Sequence, residues 1–390
     1  MLEPVLAQQG VLRPTHVEVY TSQIVANYKM IEAHVGQRKV MAILKANAYG
    51  HGLIPIAKAM ERIGCPYLGL AYLEEGIQLR RAGITTPILV MGGIIGSQIP
   101  LFIEYDLTIT ASSVDKLRAI EQCAKEQNKK AKVHLKIDTG MERIGIHYYS
   151  AEKLLSYSIR CQHVIVEGIF SHFANADSSD PTYTQMQLER FQKVLAFYPR
   201  NGLPYPIRHI ANSGAIVQTP PSWLDMVRPG ILLYGVYPSS SIPQIIPVKL
   251  AMRWVSRVVY FKVVKPDHPV SYGSTWKTDR MVRIVTIPVG YGDGYHRRMS
   301  GKAKLLINGK KYPVVGRICM DQIMANIEWE EAYNGDEVVL LGQQGENMIS
   351  VADLAQWADT IPYEILTSIN TRVPRIYPER ACNKSAQRSS

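Results

Sequence analysis

Eight short apolar, β-branched segments recur along the first 240 or so residues of the chain, and amphipathic stretches separate many of them. The segments are "KVMAILKA", "YLGLAY", "PILVMG", "LTITA", "KVHLKI", "HVIVEGIF", "IRHIAN" and "MVRPGILLYG". Short apolar runs of this kind suit strands buried on both faces. The stretches around them carry apolar residues at helical spacing: Ile24, Tyr28, Ile31 and Val35, then Val114, Leu117 and Ile120, then Leu188, Phe191 and Leu195. Gly83 follows "EEGIQLRRA" where a glycine would close a helix. Eight strands alternating with helices over about 220 residues point to an α/β chain with a (β/α)8 TIM barrel, and a doubly wound sheet is the alternative.

The texture changes after about Ser239. From there the runs are short and β-like: "AMRWVSRVVYFKVV", "MVRIVTIPVG", "KLLI", "KYPVV" and "EVVLLG". Asn308–Gly309 separates two of them, the signature of a type I′ hairpin. The expected division is a barrel over residues 12–240, an all-β domain over 1–11 and 241–378, and a disordered polar tail over 379–390.

Composition narrows the function class. No run approaches the roughly 18 apolar residues of a membrane span. The opening "MLEPVLAQQG" lacks the basic and apolar regions of a secretory signal. The 5 cysteines form no CxxC pair, which argues against a zinc site or a disulfide framework. Together these features predict a cytoplasmic protein with no membrane partner and no metal. The formal charge is +11, yet the basic residues are scattered and not interleaved with aromatics, which argues against nucleic-acid binding.

"AILKANAYGHG" poses the chemical question. Lys45 ends an apolar strand, where an ammonium group needs a reason to be. Other polar residues also fall at strand ends, the face where barrel active sites lie. Lys136 and Asp138 end the fifth strand, followed by "TGMERIG" with Glu142 and Arg143. Ser171 and His172 end the sixth, and His209, Asn212 and Ser213 the seventh; Arg228 lies in the eighth. Each alone has an ordinary structural reading, for example a lysine that snorkels to the rim. Together they form a cationic mouth that repels itself without an anionic occupant. A buried lysine of lowered pKa attacks carbonyl carbons, and pyridoxal phosphate is a common aldehyde cofactor. "ANSG" and "RPG" offer small residues and N–H groups for its phosphate.

At this point the sequence resembles the bacterial alanine racemases, pyridoxal-phosphate enzymes of fold type III. "LKANAYGHG" is similar to the family's pyridoxal-lysine motif. "KIDTGMERIG", "FSHFANAD", "HIANSG", "VRPGILLYG", "VSYGSTW", "GYGDGY", "VGRICMDQ" and "TIPYEILTSINTRVPRIY" match further motifs in order, over residues 12 to 378. The resemblance implies a barrel followed by a β domain, and a head-to-tail homodimer with shared active sites. It implies interconversion of L-alanine and D-alanine on a pyridoxal 5′-phosphate external aldimine, supplying D-alanine for peptidoglycan.

The resemblance also implies roles. Lys45 carries the cofactor and serves as base on one face of the substrate; Tyr272 of the partner chain serves the other. His172 is hydrogen-bonded to that tyrosine and contacts Arg228, which faces the pyridine nitrogen. The phosphate is held by Tyr49, Ser213 and Tyr363 and by the N–H groups of Gly230 and Ile231, beside Asn212. Arg143 and the Met320 N–H hold the substrate carboxylate, with Cys319 and Asp321 flanking. Tyr291 and Tyr363 narrow the pocket for a small side chain. Lys136 occupies a position that some members carry as a carbamate, and Glu142 is free to pair with a lysine or arginine. Other small amino acids such as serine, or decarboxylation on the same architecture, are the alternatives.

Overall fold

The structure is a computed structural model that describes residues 12–378. The expected second-domain segment 1–11 and the expected tail 379–390 lie outside the described residues. The described chain divides into two compact units. One holds residues 24–48 and 52–249; the other holds 12–23, 49–51 and 250–378.

In the first unit eight parallel strands follow one another in chain order. They are Lys39–Ile43, Tyr67–Leu70, Ile88–Val90, Thr108–Ala111, Ala131–Asp138, Val164–Phe170, Ile207–His209 and Met226–Val227. The eighth pairs in parallel with the first, Met226 opposite Lys39 and Val227 opposite Val40. Between the seventh and eighth the ladder thins to two bonds. The Asp225 N–H donates to Arg208 O at 3.1 Å, and the Arg228 N–H to Ala211 O at 3.0 Å. These bonds complete the ring, so the barrel replaces the doubly wound alternative. All eight strands read from the sequence are present.

Helices cover the barrel through the residues their spacing selects. In Thr21–Val35 the buried positions include Ile24, Tyr28, Ile31 and Val35. Burial of each such side chain stabilises the fold by about 1.5–3 kcal/mol. Helix Leu73–Arg81 ends at Ala82, and Gly83 follows at φ +86°. One irregularity shapes the interior. Val133 pairs with Val166 but His134 pairs with Gly168, so Glu167 is an extra residue in a bulge. Gly168 is then needed beside the His134 ring, because a Cβ there would lie 2.5 Å from it.

The second unit is mostly β. Strand His16–Val19 lies between Met252–Arg257, antiparallel, and Arg375–Ile376, parallel. The sequence boundaries assign this strand to the barrel. Its alternate residues Val17 and Val19 are fully buried in this other sheet instead, with Trp254 and Met252 as their register partners. The all-β expectation also needs correction, because helices Val351–Ala358 and Pro362–Ser368 belong to this unit. The first is capped by Ser350, which exchanges hydrogen bonds with Asp353 in a capping box. The hairpin at Asn308–Gly309 forms between Lys304–Ile307 and Lys310–Val315, with φ +50° and +77° at the turn. Among the described residues no helix is long and apolar enough to cross a membrane.

Candidate active site

Lys45 follows directly on the buried end of the first barrel strand and is half-buried. Burial, Arg143 and Arg228 push its amine below the ordinary ammonium range, while Glu75 pulls the other way. The chain after it turns left-handed: Ala46, Asn47, Ala48 and Tyr49 all have φ between +52° and +55°. Residues with a Cβ resist this conformation by roughly 1–2 kcal/mol each. The turn is held by the Ala48 N–H on Leu44 O at 2.8 Å and the Leu53 N–H on Asn47 Oδ1 at 2.8 Å.

Lys136 projects from the fifth strand and is almost fully buried, with its Nζ donating to Ile137 O at 2.7 Å. Burial brings its amine down to about 7; Asp138 opposes this, and Arg228 and Arg143 reinforce it. Burial would raise the Asp138 carboxyl, but the N–H groups of Gly140 (2.7 Å) and Met141 (3.0 Å) and the charge of Lys136 hold it below the usual range. Glu142 stands 3.6 Å from His147 Nδ1, in place of the lysine or arginine partner expected from the sequence.

Arg228 organises the interior. Its Nη1 donates to His209 Nδ1 at 2.9 Å. Its Nη2 donates to Ser171 O at 2.8 Å, His172 Nδ1 at 3.1 Å and Ile210 O at 3.1 Å. A guanidinium only donates, so both histidines must accept at Nδ1 and carry their proton on Nε2. His209 Nε2 then donates to His134 Nδ1 at 2.8 Å. That leaves the proton of His134 on a buried Nε2 with no hydrogen-bond partner among the described residues. All three imidazoles are kept neutral, first by burial and next by Arg228; for His134 the value falls to about 3. Burial and Arg143 lower Arg228 to about 9, which leaves it charged at neutral pH. Phe170 stacks flat on His209, with centroids 4.9 Å apart and planes at 2°.

The phosphate-binding expectations at the seventh and eighth strands have a partial structural counterpart. Ser213 is buried, and its Oγ accepts the Gly230 N–H at 2.9 Å, which leaves the hydroxyl proton to donate elsewhere. Ile231 follows in a 3-10 turn, Ile231–Tyr234. Asn212 is the N-cap of helix Ser213–Gln218, its Oδ1 accepting the Ala215 N–H at 3.1 Å. This cap fixes where Ser213 points.

The second unit carries the other expected residues. Tyr49 and Tyr363 face each other with ring centroids 6.1 Å apart. Burial raises the Tyr49 phenol, with Tyr363 adding to it, so Tyr49 stays a neutral donor. Tyr272 starts a short turn and is 71% exposed. Ser271 before it has φ +69° and donates its Oγ–H to Arg317 O at 2.6 Å. Tyr291, Cys319, Met320 and Asp321 come together on two zipped loops. The Tyr291 N–H donates to Cys319 O at 3.0 Å and the Gly292 N–H to Met320 O at 2.9 Å. Gly290 permits this approach, since a Cβ there would lie 2.2 Å from Cys319 O. Arg372 binds Met320 O and Asp321 through Nη2 and the buried Asp293 through Nε. Arg13 forks onto the same Asp293.

Sequence reasoning missed His134, Glu75, Asp293, Arg13 and Arg372. A signal existed for His134: it lies two residues before Lys136 on one strand and therefore on the same face. Nothing local marks Arg13 and Arg372 as partners of one carboxylate.

Comparison with known proteins agrees along the whole described chain. The family model for the N-terminal domain of alanine racemase matches residues 19–238, and the one for the C-terminal domain matches 251–377. Alanine racemase 2 of Caldanaerobacter subterraneus subsp. tengcongensis is 44% identical over 94% of this chain and 95% of its own length. The crystal structure of the alanine racemase from the D-cycloserine producer Streptomyces lavendulae superposes with a TM-score of 0.90 at 34% identity, covering 94% of this chain and 97% of that one. The alanine racemase of Bartonella henselae, solved with covalently bound pyridoxal phosphate, gives 0.85 at 30% identity over 94% and 99%.

Proposed function

Because the chain belongs to the alanine racemase family, we propose that it interconverts L-alanine and D-alanine with pyridoxal 5′-phosphate held on Lys45. The observation that carries this reading is the barrel mouth itself. An amine biased toward its neutral, nucleophilic form stands with the charged Arg143 and Arg228, which favour an anionic occupant. An aldehyde bearing a dianion fits that set. When bound, pyridoxal phosphate supplies the aldehyde for the lysine and an electron-withdrawing ring that acidifies the substrate's α-proton.

The chain's own residues then divide the work. Ser213, Tyr49, Tyr363 and the Ile231 N–H would hold the phosphate, while the Gly230 N–H is engaged by Ser213 Oγ and orients that hydroxyl. Arg228 would serve the ring nitrogen, to which a guanidinium can offer only donors. Lys45 Nζ moves the α-proton on one face, and the Tyr272 oxygen of a second copy of the chain moves it on the other. His172 supports that tyrosine: its Nδ1 is occupied by Arg228, so its Nε2–H is the group left to meet the tyrosine oxygen. Arg143 and the Met320 N–H of the second copy hold the substrate carboxylate, with Cys319 and Asp321 framing that loop. Tyr291 and Tyr363 favour a methyl side chain. Such a pocket discriminates by only about 1–3 kcal/mol per methylene, so slow turnover of serine is expected. Arg228, which cannot accept a proton, disfavours the decarboxylase reading.

Lys136 is read as a carbamate. Its amine, near 7, is largely free at physiological pH and adds CO2. A N–C bond forms, a proton leaves to water, and the resulting anion pairs with Arg143. In this reading the enzyme works as a cytoplasmic homodimer that supplies D-alanine for peptidoglycan.

The test is conversion of L-alanine in D2O. Wild type should give D-alanine with deuterium at the α-carbon, and Lys45→Ala should lose at least about 10⁴-fold of that rate. Binding of pyridoxal phosphate without exchange on alanine would overturn the assignment.

A further inference from the structure

The left-handed turn after Lys45 is tied to a neighbouring element by one carboxylate. Glu75 Oε1 accepts the Ala46 N–H at 2.7 Å. Its Oε2 accepts the N–H groups of Ala71 at 3.0 Å and Tyr72 at 3.3 Å. The Oε2 bonds have an ordinary explanation. Glu75 is the third residue of helix Leu73–Arg81, and an acidic side chain there commonly reaches back to cap the helix start. That explanation does not cover Oε1, which crosses 29 positions to the residue next to Lys45. The anchor is itself fixed, because Gly92 at the end of the third strand packs on it. A Cβ at Gly92 would lie 2.3 Å from Ala71 O. Glu75 thus joins the ends of the first two barrel strands, and the end of the third packs on its anchor at Ala71.

We propose that Glu75 is a positioning residue for Lys45: its carboxylate clamps the strained turn and so sets where the lysine amine meets the cofactor's aldehyde. This rests on the reading that Lys45 carries the cofactor. The chemistry of the clamp is specific. It needs an acceptor at both ends, one for each chain segment, and an ionised carboxylate is acceptor-only. Glutamine offers one oxygen and turns an NH2 group against the N–H donors of the other segment. Aspartate keeps the charge but is one methylene short of spanning both segments. The turn needs such a tie because four successive residues with φ near +54° do not hold that shape unaided. Glu75 is also the acidic neighbour of the Lys45 amine, so its loss leaves burial and Arg143 less opposed.

The experiment uses the full chain, stripped of cofactor and titrated with pyridoxal phosphate. Covalent capture is followed by absorbance in a stopped-flow instrument. The adduct is then reduced with borohydride and located by peptide mass. Capture by wild type should map to Lys45. In Glu75→Ala, Glu75→Gln and Glu75→Asp the capture rate should fall about 10-fold or more, as for the loss of one charge-assisted hydrogen bond. The kcat of racemisation should fall with it, while KM for alanine stays within about twofold and the melting temperature within a few degrees. Glu74→Gln, in the same helical turn, should match wild type. Wild-type capture in Glu75→Asp would show that charge alone suffices and overturn the clamp. A lower melting temperature with unchanged capture in all three variants would reduce Glu75 to a helix cap, which also overturns it. Failure of wild type to form an adduct at Lys45 would overturn the cofactor reading, and the clamp's purpose with it.

Discussion

At the barrel mouth four basic side chains, Lys45, Lys136, Arg143 and Arg228, outnumber their acidic neighbours Asp138 and Glu75. In the second unit the charges are instead paired directly around Asp293, a fully buried carboxylate held by Arg13 at 2.5 and 2.7 Å and by Arg372 at 2.7 Å. The first region depresses its amines first by burial, and the neighbouring arginines add to this more than Asp138 and Glu75 offset. The second answers its charges internally but leaves Tyr272, Met320 and Tyr291 at 71%, 53% and 41% exposure. One region gathers more basic than acidic groups; the other displays a tyrosine and a methionine that its own unit does not bury. Under the proposed function this difference becomes a testable division of labour, with the barrel holding the cofactor and the second unit's loops serving another copy.

Tyr272→Phe presses hardest on this comparison. If the exposed tyrosine is one of two bases, the substitution should slow proton removal from one enantiomer of alanine by about 10²–10⁴-fold and from the other far less. Stability should stay within about 0.5 kcal/mol, because the hydroxyl lies on an exposed side chain. Pre-steady-state measurement of α-proton exchange in each direction reads both rates. Equal small losses would remove Tyr272 from the chemistry.

Asp293→Asn tests the internally satisfied region and should act on stability. The arginines it releases are partly exposed, at 27% and 40%, which limits the cost to about 1–3 kcal/mol. Burial alone would raise the Asp293 carboxyl, but Arg13, Arg372 and the Gly290 N–H hold it below the ordinary value. A carboxyl lowered by folding stabilises above its unfolded pKa, about 3.9, and that gain is lost as pH falls through the folded value. Denaturant curves of wild type and variant should therefore differ most near neutral pH and converge in acid. A gap that persists at pH 2 would mean that packing, not charge, is the cause.

Periodicity and motif spacing made most of the fold legible, and the exceptions have physical causes. The barrel strands announce themselves because each is buried on both faces. His16–Val19 falls within the expected barrel bounds of 12–240, since alternation reports burial but not which sheet supplies it. The two helices of the second unit were absorbed into a β reading, although Ser350 and Asp353 carry a capping signature. At the mouth, residues on strand ends were found because a cation there is conspicuous. Glu75 was passed over because an acidic residue in a first helical turn is ordinary, and only the fold brings it to Ala46. The ladder from Arg228 through His209 to His134 was also invisible, since three strands must close into a ring before the imidazoles meet.

Lys136 gives the most discriminating effect, because it is read as a slope with pH. Its amine falls from an ordinary lysine value to about 7 on folding, burial being the main cause. Between about pH 7 and 10 the unfolded chain then holds a proton that the folded chain does not. The unfolded state binds more protons, so stability must rise with pH across that window, by at most about 1.4 kcal/mol per unit. Lys136→Met, which fills similar space without titrating, should remove that slope. In CO2-free buffer the stability of wild type relative to the variant should climb from pH 7 to pH 9. Adding bicarbonate at pH 8 should stabilise wild type alone, because only wild type can form the carbamate that pairs with Arg143. A slope without a bicarbonate effect would keep Lys136 as a neutral amine and leave the excess of positive charge at the mouth to the cofactor's phosphate and the substrate's carboxylate.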